Sequence, residues 1–258
     1  MSLAAARQSI FITGAASGMG RETARLFHQQ GWFVGAFDVN QAGLEALQAE
    51  LGAENCLIGQ LDVSDKAAYE RAVNAFDEAT GGRMDILFNN AGIAMRGFFD
   101  EIPFDEQMRI VQVNFVGVLN GIHTALPLLK ATPNALCFTT SSSSATMGMP
   151  LIAVYSATKH AVKGLTEALS NEFRRHDIRV ADVLPGLIRT GMPDDALLAA
   201  ASDKGAFRVI EAIEVAKVVW QAYQSETLHW YVPEELADLD KAAGNNPELL
   251  RDKLARQL

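Results

Sequence analysis

Short apolar runs alternate along this chain with longer stretches in which apolar positions recur at helical spacing. The first run, SIFIT (Ser9–Thr13), ends at a glycine cluster, and GRETARLFHQQG (20–31) follows with Ala24, Leu26 and Phe27 on one side and Arg21, Glu22 and His28 elsewhere. Gly31 is placed to cap that helix at its C-terminus. The alternation repeats: WFVGAFD (32–38) reads as a strand, QAGLEALQAEL (41–51) as a helix, NCLIGQLD (55–62) as a strand, KAAYERAVNAFDEATGG (66–82) as a helix and MDILFNN (84–90) as a strand. Two helical stretches follow over about 104–129, then the strand ALCFTT (135–140), a long helix over about 153–175 and the strand IRVADVLP (178–185). The chain is irregular over 186–207. After it AIEVAKVVWQAY (212–223) reads as a helix, TLHWYV (227–232) as the last strand and the stretch from Pro247 as a short helix.

Seven strands linked by helices predict right-handed crossovers and a parallel sheet covered on both faces. The expected fold class is α/β: a Rossmann-like, doubly wound, seven-stranded parallel sheet with helices on both faces. No low-complexity linker divides it, and the serine run at 141–144 is too short to be a spacer. One domain over 1–258 is the economical reading, since open α/β sheets reach this length.

Composition narrows the partners. Hydrophobic residues make up 49% and charged ones 21%, an ordinary globular balance. The net charge of −9 argues against a broad grip on nucleic acid or an anionic membrane, so neither is expected as a partner and a neutral small molecule is. Cys56 and Cys137 lie in apolar strand-like runs and read as buried, reduced thiols. MSLAAARQS carries no apolar stretch of signal-peptide length, and the expected location is the cytoplasm. The histidines at 28, 123, 160, 176 and 229 show no metal-ligand spacing; surface or capping roles are expected for them, and no metal site.

Candidate chemistry begins at TGAASGMG (13–20), where the first strand turns into the first helix. Gly14, Gly18 and Gly20 let the backbone turn tightly around Ser17 and Met19 and aim the helix N-terminus at a phosphate. Asp38 ends the second strand, near where an acid in such a fold takes the ribose hydroxyls of a dinucleotide. Its charge disfavours the extra phosphate of NADP, so NAD is the expected cofactor; capping of the following helix is the alternative role for Asp38. In VYSATKHAV (154–162), Tyr155 and Lys159 are one helical turn apart and project from the same side. The alternative there is a lysine stem covering an aromatic ring.

With these residues assembled, the chain resembles the short-chain dehydrogenase/reductase family over about residues 9–190. TGAASGMG is similar to the family's cofactor turn, Asp62 and Val63 to its pair beside the adenine, and NNAG, with Asn90, Ala91 and Gly92, to the motif after its fourth strand. PGLIRT resembles the segment that holds the nicotinamide carboxamide, which implies cofactor contacts at Pro185, Gly186, Ile188 and Thr190. Tyr155 and Lys159 resemble the catalytic pair and Asn114 the helix asparagine. The family's serine stands thirteen residues before the tyrosine, at Ser142, and Ser144 is the runner-up because it shares the pleat parity of Ser142.

The resemblance implies hydride transfer between NAD(H) and a secondary alcohol or its ketone. A free phenol titrates near about 10 and carries protons poorly at neutral pH, and the Lys159 ammonium is expected to favour the phenolate. Tyr155 then acts as general acid/base and Ser142 hydrogen-bonds the substrate oxygen. By the same resemblance Lys159 also holds the nicotinamide ribose, Asn114 keeps a relay water in place, and the chain works as a homodimer or homotetramer. Loops at about 93–103, 143–154 and 186–208 are expected to gather over the nicotinamide. Met95, Phe98, Phe99, Met147, Met149, Leu151, Leu187, Met192 and Leu197 would make them an apolar pocket for a hydrophobic substrate. The rival reading is a non-catalytic NAD-binding sensor or scaffold. The tail after the last strand departs from the glycine-rich ending of many members, with a turn expected at GNNP.

Overall fold

The computed structural model describes residues 7–192, 198, 201 and 204–256. In chain order its strands are β1 (Ser9–Thr13), β2 (Phe33–Asp38), β3 (Cys56–Gln60), β4 (Ile86–Asn89), β5 (Leu136–Thr140), β6 (Arg179–Pro185), β7 (Ile188–Arg189), β8 (Ile210–Glu211) and β9 (His229–Val232). Its α-helices, numbered likewise, are α1 (Gly18–Gln29), α2 (Gln41–Leu51), α3 (Lys66–Thr80), α4 (Phe104–Val111), α5 (Gly117–Ala131), α6 (Ala153–Glu172), α7 (Ala212–Ala222), α8 (Leu236–Asn245) and α9 (Pro247–Ala255). Seven strands form one parallel sheet in the order β3-β2-β1-β4-β5-β6-β9, and β7 pairs with β8 in a separate ladder.

The central strand β1 is buried on both faces, which is why SIFIT reads as an unbroken apolar run. Its side chains alternate. Ile10 and Ile12 enter one core with Phe27 of α1, Leu44 of α2 and Val215 of α7, while Phe11 enters the other with Phe76 of α3, Leu129 of α5 and Val162 of α6. Phe11 stacks on Phe37 with ring centroids 4.2 Å apart. From β1 the chain winds outward through β2 and β3, then crosses back to β4 on the other side of β1. Such a reversal opens a crevice beyond the carboxyl ends of β1 and β4.

The structure refines four expectations. The two helical stretches around 104–129 are joined by a π-helical turn, Gln112–Val116. The long helix ends at Glu172 and finishes in a 3₁₀ turn, Phe173–His176. The irregular segment contains the short β7–β8 ladder. Helix α8 was not expected, because only Leu236 and Ala243 are buried on it and acidic and small residues hide that stripe. The expected turn at GNNP is the joint between α8 and α9, where Asn246 caps α9 by accepting from the Leu249 amide at 3.1 Å and Pro247 takes the first helical position. No helix among the described residues is long and apolar enough to cross a membrane.

Candidate active site

A groove of about 520 Å³ fills the crevice, walled by the turn after β1, the end of β2, the loop after β4 and Thr190. Gly14 and Gly18 adopt left-handed backbone, φ 67° and 52°, which glycine takes without penalty. A Cβ on Gly20 would lie 2.2 Å from the Gly14 carbonyl oxygen, so the turn and the start of α1 pack backbone against backbone. Ser17, the N-cap of α1, makes no side-chain cap hydrogen bond. The first amides of α1 therefore face the groove as a cradle for an anion, and the residues present fit a dinucleotide pyrophosphate there.

Asp38 stands on the wall of this groove. Its Oδ2 accepts from the Ala16 amide at 3.0 Å and its Oδ1 from the Asn40 amide at 2.9 Å, which fixes the carboxylate beside the glycine turn. The cap of α2 belongs instead to Asn40, whose side chain accepts from Gly43 at 3.1 Å. Asp62, Val63, Ala91, Gly92, Ser17, Met19 and Thr190 line the groove as well. Asn90 lines it and also braces the sheet: its Nδ2 donates to the carbonyls of Thr13 and Gly14, and its Oδ1 accepts from Thr140 at 3.1 Å. Three predicted contacts lie elsewhere. Ile188 is 4% exposed and packs into the core, while Pro185 and Gly186 close the end of β6 against β9. Their apolar neighbours in sequence do not reveal which way β7 turns.

Strand β5 stops at Thr140, and the pleat does not continue through the serines. Ser142 is extended (φ −168°), and its Oγ accepts from the Ser144 amide at 3.1 Å, opening a 3₁₀ turn over Ser143–Ala145. Ser142 is the serine that acts on the Tyr155 phenol, lowering its proton affinity. Ser141 instead donates to the Lys159 carbonyl at 3.1 Å, and the Oγ of Ser144 is buried without a partner among the described residues. The parity argument for Ser144 fails because the backbone turns.

Tyr155 and Lys159 meet as their spacing predicts: the ammonium lies 5.6 Å from the ring centroid and donates to the Thr140 carbonyl at 2.7 Å. Their electrostatics differ from expectation. Burial pushes the Tyr155 phenol up, and the Ser142 hydrogen bond works against that rise. Burial also pushes Lys159 down to about 8, opposed by the charge of Asp182. The same burial thus moves the two groups in opposite directions, disfavouring the charged form of each.

Asn114 sits in the π-helical turn, fully buried. Its Oδ1 accepts from the Ile93 amide at 2.8 Å and its Nδ2 donates to the Ile93 carbonyl at 2.9 Å and to Thr158 at 3.3 Å. It thereby ties the loop after β4 to α6, the helix carrying Tyr155 and Lys159. π-Turns recur at functional sites because they re-aim one side chain without ending the helix.

Beside Tyr155 lies a narrow cavity of about 10 Å³ lined by Met95, Phe99, Ile102, Ile110 and Ile152. Gln107 lines it too, but its amide is occupied by the carbonyls of Phe99 at 2.8 Å and Ile102 at 3.0 Å. Of the apolar residues singled out in sequence, Met95 and Phe99 reach this cavity. Phe98 and Met192 are exposed, Met147, Met149, Leu151 and Leu187 are half-buried, and Leu197 lies outside the described residues. Ile110 and Gln107 were missed because their spacing on α4 is that of any core stripe, and Ile102 and Ile152 because each stands in a loop just before a helix with nothing local to mark it. Cys56 and Cys137 are free, buried thiols, pushed up by burial to about 11 and about 12.

The glycine turn, the acid on β2 and the serine, tyrosine and lysine thus gather at one end of the sheet, and the chain matches the family model of short chain dehydrogenases over residues 8–199. It belongs to the short-chain dehydrogenase/reductase family. Dehydrogenase/reductase SDR family member 7B of Bos taurus is 31% identical over 205 residues, 76% of this chain, and the match spans 62% of that longer protein, under two thirds of it. Meso-2,3-butanediol dehydrogenase of Serratia marcescens is 34% identical over 183 residues, 71% of this chain and 72% of that one. The crystal structure of a short chain dehydrogenase/reductase from Burkholderia phymatum in complex with NAD is 26% identical and has a TM-score of 0.83, covering 95% of each chain.

Proposed function

We propose that this chain is an NAD-dependent alcohol dehydrogenase/ketone reductase acting on a hydrophobic secondary alcohol and its ketone. The observation that carries the proposal is the meeting of Tyr155 and Lys159, the ammonium 5.6 Å from the ring, at a place where Ser142 acts to lower the phenol's proton affinity and the surrounding side chains are apolar. Bound NAD(H) supplies the hydride chemistry. In the oxidation direction Tyr155 takes the proton of the substrate hydroxyl; in reduction it returns that proton to the carbonyl oxygen. Ser142 hydrogen-bonds the same oxygen as charge changes on it. Lys159 and Asn114 hold the frame: one rests on the end of β5, the other fastens the loop after β4 to α6. Mere dinucleotide binding needs no phenol beside a serine and a lysine at this place.

The gap beside Tyr155 is no larger than a water and is not itself the substrate pocket; the side chains around it carry no charge and their one amide is already engaged, which supports an uncharged, apolar substrate. Steady-state assays with NAD and a panel of secondary alcohols test this: aromatic and alicyclic alcohols are expected to be favoured, and faster turnover of charged hydrophilic ones would overturn it. Because burial holds the phenol above its ordinary value, its proton is in place at neutral pH and the base form grows about tenfold per pH unit below its titration. Alcohol oxidation is therefore expected to rise with pH through the neutral range while ketone reduction does not; rate measurements in both directions check the sign.

Asp38 supports the preference for NAD over NADP. A fixed carboxylate on the groove wall repels a 2′-phosphate, and at a few ångströms near a protein surface that repulsion is worth about 1–4 kcal/mol. Asp38→Ser is expected to raise the NADP-to-NAD ratio of kcat/KM by about tenfold or more. An unchanged ratio would contradict the role.

A further inference from the structure

All five histidines were expected in surface or capping roles, but His229 on β9 is half-buried in an ionic cluster. Its Nδ1 lies 2.7 Å from Oδ1 of Asp182 on β6, and its Nε2 lies 3.3 Å from Glu167 of α6. Asp182 has no exposed surface, and its Oδ2 has no hydrogen-bond partner among the described residues. A buried carboxylate with an unpaired oxygen is costly unless a nearby charge compensates it.

His229 and Lys163 act on the Asp182 carboxyl directly, and the strand register brings its charge to the end of β5 where Lys159 rests. Asp182 stands opposite Thr139 of β5, and the next residue, Thr140, is the one whose carbonyl receives the Lys159 ammonium. Ala181 and Val183 enter the core on the α1 side and Val180 the core on the α6 side, so the parity of Asp182 turns its side chain toward α6. Helix α6 packs on β6 and carries Lys159, Lys163 and Glu167 at intervals of one turn. Lys163 is engaged by Asp240 of α8 at 2.7 Å, and Tyr231 of β9 donates to the same carboxylate at 2.6 Å. The charged and titratable groups around Asp182 are therefore Lys159, Lys163 and Glu167 from α6, His229 and Tyr231 from β9, and Asp240 from α8.

We propose that Asp182, held by His229, is a positioning residue for the reaction assigned above: the buried anion that attracts the Lys159 ammonium across the end of the sheet and keeps it beside Tyr155. The inference rests on the reading of Lys159 as part of the active site. Electrostatics agree with it, since burial pushes Lys159 down and the charge of Asp182 acts against that push. His229 helps keep Asp182 ionised: burial pushes the carboxyl up, and the hydrogen bond and charge of His229 oppose the rise.

The test is the titration of Lys159 followed by NMR on lysine-labelled protein, the resonance assigned with Lys159→Arg. In Asp182→Asn, which keeps the shape of the side chain, the proton affinity of Lys159 is expected to fall about tenfold from its midpoint of about 8. A purely structural role lowers activity at every pH and leaves the lysine titration in place, and that result overturns the proposal. Should Asp182→Asn not fold, His229→Gln serves: with its support gone the carboxyl takes up a proton more readily, and Lys159 is expected to shift in the same direction. A lysine that titrates as before in this variant also overturns the proposal. The titration needs no turnover, so failure of the catalytic reading shows separately, as turnover retained by Tyr155→Phe.

Discussion

Tyr155→Phe is expected to lower kcat for alcohol oxidation by about 10³-fold, within the range that a positioned general base supplies, while NAD binding changes little. The substitution removes one hydroxyl from a ring whose position is set by α6 and by the apolar wall of Met95, Ile102 and Ile152, so the fold has no reason to respond. What disappears is the group that accepts the substrate proton and the hydrogen bond from Ser142. Steady-state kinetics and a fluorescence titration with NADH separate the two effects. Loss of cofactor binding in step with turnover would assign Tyr155 to the groove rather than to the chemistry.

Ser142→Ala is expected to lower kcat by about 10²-fold, the loss typical of one donor aimed at a charge that develops during reaction. Ser144→Ala is expected to leave kcat unchanged. The two serines are two residues apart and both buried, yet only Ser142 acts on the Tyr155 phenol, while the hydroxyl of Ser144 is buried with no partner among the described residues. Removing an unpartnered buried hydroxyl costs nothing and can stabilise. Paired kinetics of the two variants, with thermal melting as the control for folding, decide between them; equal losses would mean that the turn, not one hydroxyl, is what matters.

Much of this arrangement was legible in the chain because parallel strands covered on both faces must be apolar throughout, as SIFIT and ALCFTT are. The glycine turn, Asp38 and the Tyr155–Lys159 spacing were legible for a similar reason: each is a local geometric demand that few residue types satisfy. The hidden features depend on contacts between distant segments. Nothing local marks Ile188 as packing into the core, or Ile110 as lining the gap beside Tyr155 rather than the helix interior. Helix α8 was missed because burying two of its residues suffices to dock it. The acidity of Tyr155 also answers to burial, which a spacing does not reveal, and here burial pushes it up.

The most direct test of the account is a crystal structure with NAD and an unreactive secondary-alcohol analogue. The predicted result is one analogue oxygen within hydrogen-bond reach of both Tyr155 Oη and Ser142 Oγ, about 2.6–3.2 Å, with its apolar body against Met95 and Ile152. An analogue oxygen held by other groups, with the phenol of Tyr155 turned from it, would contradict the assignment.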